Sequence, residues 1–193
     1  MDQARAVVDL LFEGYAGRPD HRVASTVGLI RDGPIVVVVD PGMVPSHAAI
    51  LEPLAAFGLA PDDVTDVVFS HHHPDHTLSA ALFAEAACHD YWAIYRHDVW
   101  QDRDAEGYKI SPNIGLIRVP GHSKEDLATL ASTEEGLVVF THAWWTIAGP
   151  SNDPYASDIA ALHASRARIL GLAPHLIVPG HGPAFKSTPN TPL

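Results

Sequence analysis

A single cysteine, Cys88, stands among 193 residues, so no disulfide can form within the chain. That excludes a disulfide-stapled scaffold and makes a reducing compartment, the cytoplasm, the expected location. No apolar run reaches the roughly 18 residues that a membrane-spanning helix needs. The opening "MDQARAVVDLLFEGY" lacks the basic stretch, apolar segment and cleavage site of a signal peptide. Cations are scarce: 12 Lys and Arg stand against 23 Asp and Glu, a net charge of −11 with histidines neutral. They are scattered, and no basic tract exists to meet a row of phosphates, so composition argues against a nucleic-acid partner. No G-x-S-x-G is present and Cys88 has no nucleophile signature beside it, so the usual marks of covalent Ser or Cys hydrolysis are missing.

Histidine and aliphatic residues are what the chain does have. Apolar residues make up 47%, enough for one domain with a sizeable core. We expect a single domain over 1–193, its Pro-rich end "STPNTPL" forming a flexible tail at about 187–193. "RVASTVGLI" and "PIVVVVD" read as strands around the turn "RDG". "PSHAAILEPLAAFGL" has helical spacing and ends near Gly58, and "HTLSAALFAEA" reads as a second helix. "DVTDVVFS", "IGLIRVPGH", "DLATLAS", "GLVVFTH" and "HLIVPGH" read as further strands. "SDIAALHASRARILGL" reads as a helix capped by Ser157.

Several of these strands run into a histidine: His71, His122, His142 and His181. Strand ends gathered on one edge of a sheet make a site. The densest stretch is "SHHHPDH", Ser70 to His76. In an extended loop His71 and His73 point the same way and His72 the other. Asp75 and His76 follow a Pro-induced turn and can face a second point, so one loop can serve two metals. A plain surface or core role suffices for His21, His47, His72, His89, His97, His163 and His175. It does not suffice for the cluster, because distant histidines at strand ends would complete both sets.

The motif His71-x-His73-x-Asp75-His76 matches the H-x-H-x-D-H signature of the metallo-β-lactamase superfamily, and the chain resembles that family along nearly its whole length. "PGHS" with His122 looks like the third motif, "PGHG" with His181 looks like the last, and "STVGLIRDGPIVVVVDPG" resembles the opening strands. The resemblance implies an α/β (α+β) fold, a four-layer αββα sandwich with a di-metal site along one sheet edge. It implies one metal on His71, His73 and His122 and another on Asp75, His76 and His181, in a family whose members are mostly hydrolases. The compact form resembles small stand-alone members, a group in which some act on RNA.

One departure stands out. The family's metal-bridging aspartate would fall in "VVFTHAWW", where this chain has His142. A carboxylate can hold two cations, whereas a neutral imidazole offers one lone pair. His142 is therefore expected to bind the second metal only. The alternatives are a single metal at His71, His73 and His122, or substitution of the bridge by Asp153 or Asp126.

The expected cofactor is zinc, with two ions favoured over one, and with iron or manganese left open because imidazole suits all three. The expected activity is hydrolysis of a small acyl substrate (an ester, thioester, lactone or amide) by a metal-activated water. Asp75 would serve as catalytic proton acceptor besides being a ligand. A metal-dependent phosphodiesterase or nuclease, and a metal-binding protein without turnover, are the alternatives. Trp144 and Trp145, directly after His142, are candidates for the substrate pocket. The segment between His76 and His122 is expected to carry one loop over the site. A small molecule is the expected partner, no membrane is, and a homodimer is left open.

Overall fold

The structure, a computed structural model, describes residues 5–17 and 19–193. Seven strands follow one another in space in chain order: β1 (Val7–Phe12), β2 (Val27–Asp32), β3 (Ile35–Val39), β4 (Asp66–Val68), β5 (Ala87–His89), β6 (Ala93–Arg96) and β7 (Val99–Asp102). β3, β4 and β5 run parallel and the flanking pairs antiparallel. The other four make a second sheet in the order β11 (Leu176–Pro179), β10 (Gly136–Thr141), β9 (Leu127–Thr133), β8 (Ile114–Arg118). There β10 and β11 are parallel and the rest antiparallel.

Alternation along the strands explains the layering, since successive side chains leave a strand on opposite faces. In β3, Val37 and Val39 point into a core shared with the second sheet, where Leu116, Val138, Phe140 and Val178 meet them. Val36 and Val38 point the other way, to Ile50 and Leu54 of helix α1 (Ala48–Ala56). In the second sheet Val139 and Ile177 turn outward to Leu162 and Ile169 of helix α3 (Ile159–Gly171). Two sheets packed face to face with a helix against each outer face give four layers, α–β–β–α, as expected. Among the described residues no helix is long and apolar enough to cross a membrane.

Three local expectations are corrected. The run 76–86 is not one helix. It contains a single turn, α2 (Pro74–Thr77), then a 3₁₀ turn at Ala80–Leu82. Between them the Ser79 N–H and hydroxyl donate to the carbonyls of Pro41 and Gly42, and these long-range bonds draw the backbone out of the helical path. The cap of α3 is Asp158, not Ser157: its Oδ1 accepts the Ala161 N–H at 2.9 Å, while the Ser157 hydroxyl donates to Gly121 O. The segment between His76 and His122 does not supply a loop over the site but builds β5, β6 and β7. Near the end of the chain, Pro192 O accepts the Trp144 indole N–H at 2.7 Å.

Leu116 belongs to the core shared by the two sheets. Leu116→Ala, at a fully buried position, should cost about 2–5 kcal/mol by leaving a cavity between the sheets. Val99→Ala, on the exposed strand β7, should stay within about 0.5 kcal/mol. Urea unfolding of both variants checks this, and equal losses would contradict the layer assignment.

Candidate metal centre

Strands β3, β4, β8, β10 and β11 all point their C-terminal ends to one edge of the sandwich. The residues that follow them are Asp40, the loop Ser70–His76, His122, His142 and His181. The chain thus brings together there every metal-ligand candidate read from the sequence. Pro74 opens α2 with its fixed φ, so Asp75 and His76 sit on one turn beyond the extended His73. Two glycines permit close approach. A Cβ on Gly42 would overlap the Asp75 carbonyl, and one on Gly180 would overlap the His142 ring.

Four of the six rings are held by one nitrogen. The Ser70 hydroxyl donates to Asp40 Oδ2 at 2.7 Å, so His71 Nδ1–H must donate to Ser70 Oγ at 3.0 Å. His76 Nδ1–H donates to Asp40 Oδ2 (2.9 Å), His122 Nδ1–H to Asp153 Oδ2 (2.6 Å) and His181 Nδ1–H to Ala24 O (2.8 Å). With Nδ1 fixed as donor, Nε2 of each neutral ring is a lone pair aimed inward. Asp40, whose φ of 52° lies in the left-handed region that Asp tolerates better than most residues, is the hub of this arrangement.

The inward nitrogens fall into overlapping groups. His71 Nε2 and His122 Nε2 lie 2.9 and 3.0 Å from His73 Nδ1. Asp75 Oδ2 lies 3.5 Å from His76 Nε2 and 3.6 Å from His181 Nε2. In each of the sets His71–His73–His122, Asp75–His76–His181 and His71–His76–His142, the donor atoms all lie within 4.8 Å of one another. His142 stands between the first two sets, its Nε2 3.2 Å from His181 Nε2 and its ring centroid 4.1 Å from that of His122. Asp153 and Asp126 are both buried at the edge of the cluster. Asp153 is committed through Oδ2 to His122 Nδ1, the outward side of that ring, and Asp126 accepts from the Ser123 N–H and hydroxyl.

The donor set fits a divalent metal. A single N–H on His73 could satisfy one of the two lone pairs facing it, never both. His76 Nε2 and His142 Nδ1 are buried with no hydrogen-bond partner, an arrangement that is costly unless something binds there. Burial, and then the neighbouring rings, push His71 and His142 well below the ordinary histidine value; His181 is lowered to about 4, mainly by burial. These rings are neutral near pH 7, the form a metal requires. Burial also opposes charge on His76, but the Asp40 carboxylate outweighs it and raises that pKa. A cation would take the place of that extra proton. Burial likewise pushes Asp126 up to about 6.

The site opens into a cleft of about 500 Å³. One wall is residues 16, 17 and 21–23 of the β1–β2 connection, and the other is Trp145, Pro154 and Tyr155. His21, read as an ordinary surface residue, lines this cleft, and Tyr155 was missed. The two tryptophans divide. Trp145 faces the cleft, whereas Trp144 is fully buried against Phe185 in the outer core and is no part of the pocket. Alternation past the end of β10 sends consecutive side chains to opposite sides. His72 is turned away, bonded to Asp90 and stacked on Trp92.

A sandwich of this layering with a histidine–carboxylate centre at one edge defines a class, and the comparisons agree: the chain belongs to the metallo-beta-lactamase superfamily, whose family model matches residues 22–143. Metallo-beta-lactamase domain-containing protein 1 of Xenopus laevis is 33% identical over 190 residues, covering 93% of this chain and 81% of that protein. The human protein of the same name is 33% identical over 165 residues, 80% of this chain and 60% of that one, so this chain spans about three fifths of the human relative. Among solved structures, an N-acyl homoserine lactone hydrolase with N-hexanoyl-L-homoserine at its catalytic metal centre shares the fold. Its TM-score is 0.68 at 19% identity, over 94% of each chain.

The shifts also set a pH dependence. His71, His142 and His181 take up protons more readily unfolded than folded. Their share of the stability of the metal-free protein should therefore be full above about pH 6.5 and fall as pH drops toward 4. Asp126 opposes this below pH 6, and His76, whose stabilisation becomes full only below 6.5, opposes it as well, two groups against three. Urea midpoints measured in the presence of chelator at pH 7 and pH 5 check the sign. A higher midpoint at pH 5 would contradict it.

Proposed function

We propose that this chain is a metal-dependent hydrolase of a small acyl substrate: an ester, thioester, lactone or amide. The observation that carries the reading is the set of imidazole nitrogens locked outward by hydrogen bonds, with their partner nitrogens converging beside one carboxylate. His71, His73 and His122 would hold one ion, and Asp75, His76 and His181 a second, joined by His142. Zinc is the favoured ion for a site this rich in nitrogen. A divalent cation bound there supplies Lewis acidity and acidifies water near neutral pH.

The chain's own residues do the rest. Asp40 and Asp153 keep three of the rings in one tautomer and orientation. Asp75, half-buried beside His76 and His181 at the floor of the cleft, is placed to accept a proton from an attacking water. The cleft is sized for a small molecule. Arg22 is the one Arg or Lys among the described residues lining it, which favours an acyl group over a polyanionic phosphodiester chain. The lactone hydrolase of the same fold supports the acyl class without naming the substrate.

His71→Ala and His122→Ala should each abolish zinc-dependent turnover of an ester and lactone panel. His72→Ala should keep most of it, because that ring faces Asp90. Comparable loss in all three would contradict the assignment. His142→Ala should lower the zinc stoichiometry or weaken the second site, as read by equilibrium dialysis. Unchanged binding would remove His142 from the ligand set.

A further inference from the structure

Trp145 connects the mouth of the cleft with the histidine cluster. Its ring stacks nearly parallel on Tyr155, with centroids 5.7 Å apart and planes at 15°. Tyr155 is 71% exposed, so the stack presents an open aromatic surface to whatever enters. On the other side, the Trp145 indole N–H donates to Asp153 Oδ2 at 2.9 Å, the same oxygen that accepts His122 Nδ1–H at 2.6 Å. Asp153 Oδ1 accepts the Tyr155 backbone N–H at 2.9 Å. One carboxylate thus ties both members of the stack to a candidate ligand.

We propose that Trp145 and Tyr155 form a platform that selects substrates with a planar or aromatic group on the acyl part. We further propose that Trp145 is at the same time a positioning residue for His122, acting through Asp153. The two roles use different parts of the indole: its face takes part in the stack, and its N–H orients the carboxylate. This inference rests on the reading that the histidines hold a divalent metal. An Asp153 that loses one of its donors is freer to rotate, and the His122 ring it holds is less well aimed. A planar group added to the stack gains aromatic contact beyond simple burial.

Two variants separate the roles. Trp145→Phe keeps an aromatic face and removes the N–H. Tyr155→Ala removes the exposed ring and leaves the Trp145–Asp153–His122 chain in place. Zinc affinity is measured by competition with a chelating dye. Binding of benzohydroxamate and acetohydroxamate, probes with the same metal-binding group, is measured by calorimetry on the zinc-loaded proteins. Trp145→Phe should weaken zinc binding by about tenfold while keeping most of the preference for the aromatic probe. Tyr155→Ala should leave zinc affinity unchanged and cut that preference by about three- to tenfold.

A role confined to packing would move both readouts together in each variant, and that result overturns the proposal. Wild-type zinc affinity in Trp145→Phe overturns the relay, and an unchanged probe preference in Tyr155→Ala overturns the platform. Either result leaves the hydrolase reading standing. Failure of the wild-type protein to bind zinc overturns both.

Discussion

Two neutral imidazoles cannot face each other through their lone pairs without a proton or a cation between them, and this constraint governs the histidine-lined edge of the molecule. His71 and His122 have each spent their one N–H on an outward partner, and both remaining nitrogens face His73 Nδ1, which can donate to one of them at most. Packing the rings this way is costly for the bare protein, because desolvation and mutual repulsion keep them neutral. The arrangement persists because rigid strand ends and the buried carboxylates of Asp40 and Asp153 hold each ring from behind. Much of the fold serves that end. Parallel pairing of β3 with β4 and of β10 with β11 sends the exits to one edge, and Gly42 and Gly180 let them close in.

His142 is where this chain takes its own course. A carboxylate between two cations lowers their mutual repulsion, and an imidazole adds no charge. With only Asp75 beside His76 Nε2 and His181 Nε2 among the described residues, and Asp153 beside His122 and His142, two divalent ions would leave the pocket positive. Asp40, Asp126 and Asp153 lie just behind the rings and offset that charge at a distance. Negative charge thus sits mostly behind the rings. Such a pocket suits acidification of water and attraction of an electron-rich carbonyl.

How much of this could be read beforehand depended on range along the chain. Strand-ending histidines are local signals, as are the H-x-H-x-D-H spacing and the alternation in β3 and β10. The histidine signals pointed to the cluster, and the family resemblance that they carry implied the four layers. What stayed hidden depends on residues brought together from far apart. Asp40 reaches His76 across 36 positions and Asp153 reaches His122 across 31, and no short pattern announces either pair. The break after Thr77 has the same origin, since Ser79 bonds to Pro41 and Gly42 where propensity alone favours a helix. β5, β6 and β7 are three or four residues long, too short for a period to show. Trp144 and Trp145 are alike in sequence and opposite in orientation. Only the point at which β10 ends, one residue before His142, decides which of them faces the cleft.

The central claim is that the facing lone pairs are a metal site. Its most direct test is equilibrium dialysis of chelator-stripped, folded protein against zinc at pH 7.5, followed by elemental analysis per chain. The account expects at least one tightly held zinc per chain, with release as the pH falls and protons compete for the same nitrogens. A protein that keeps its native circular dichroism and stays empty through the titration would contradict it.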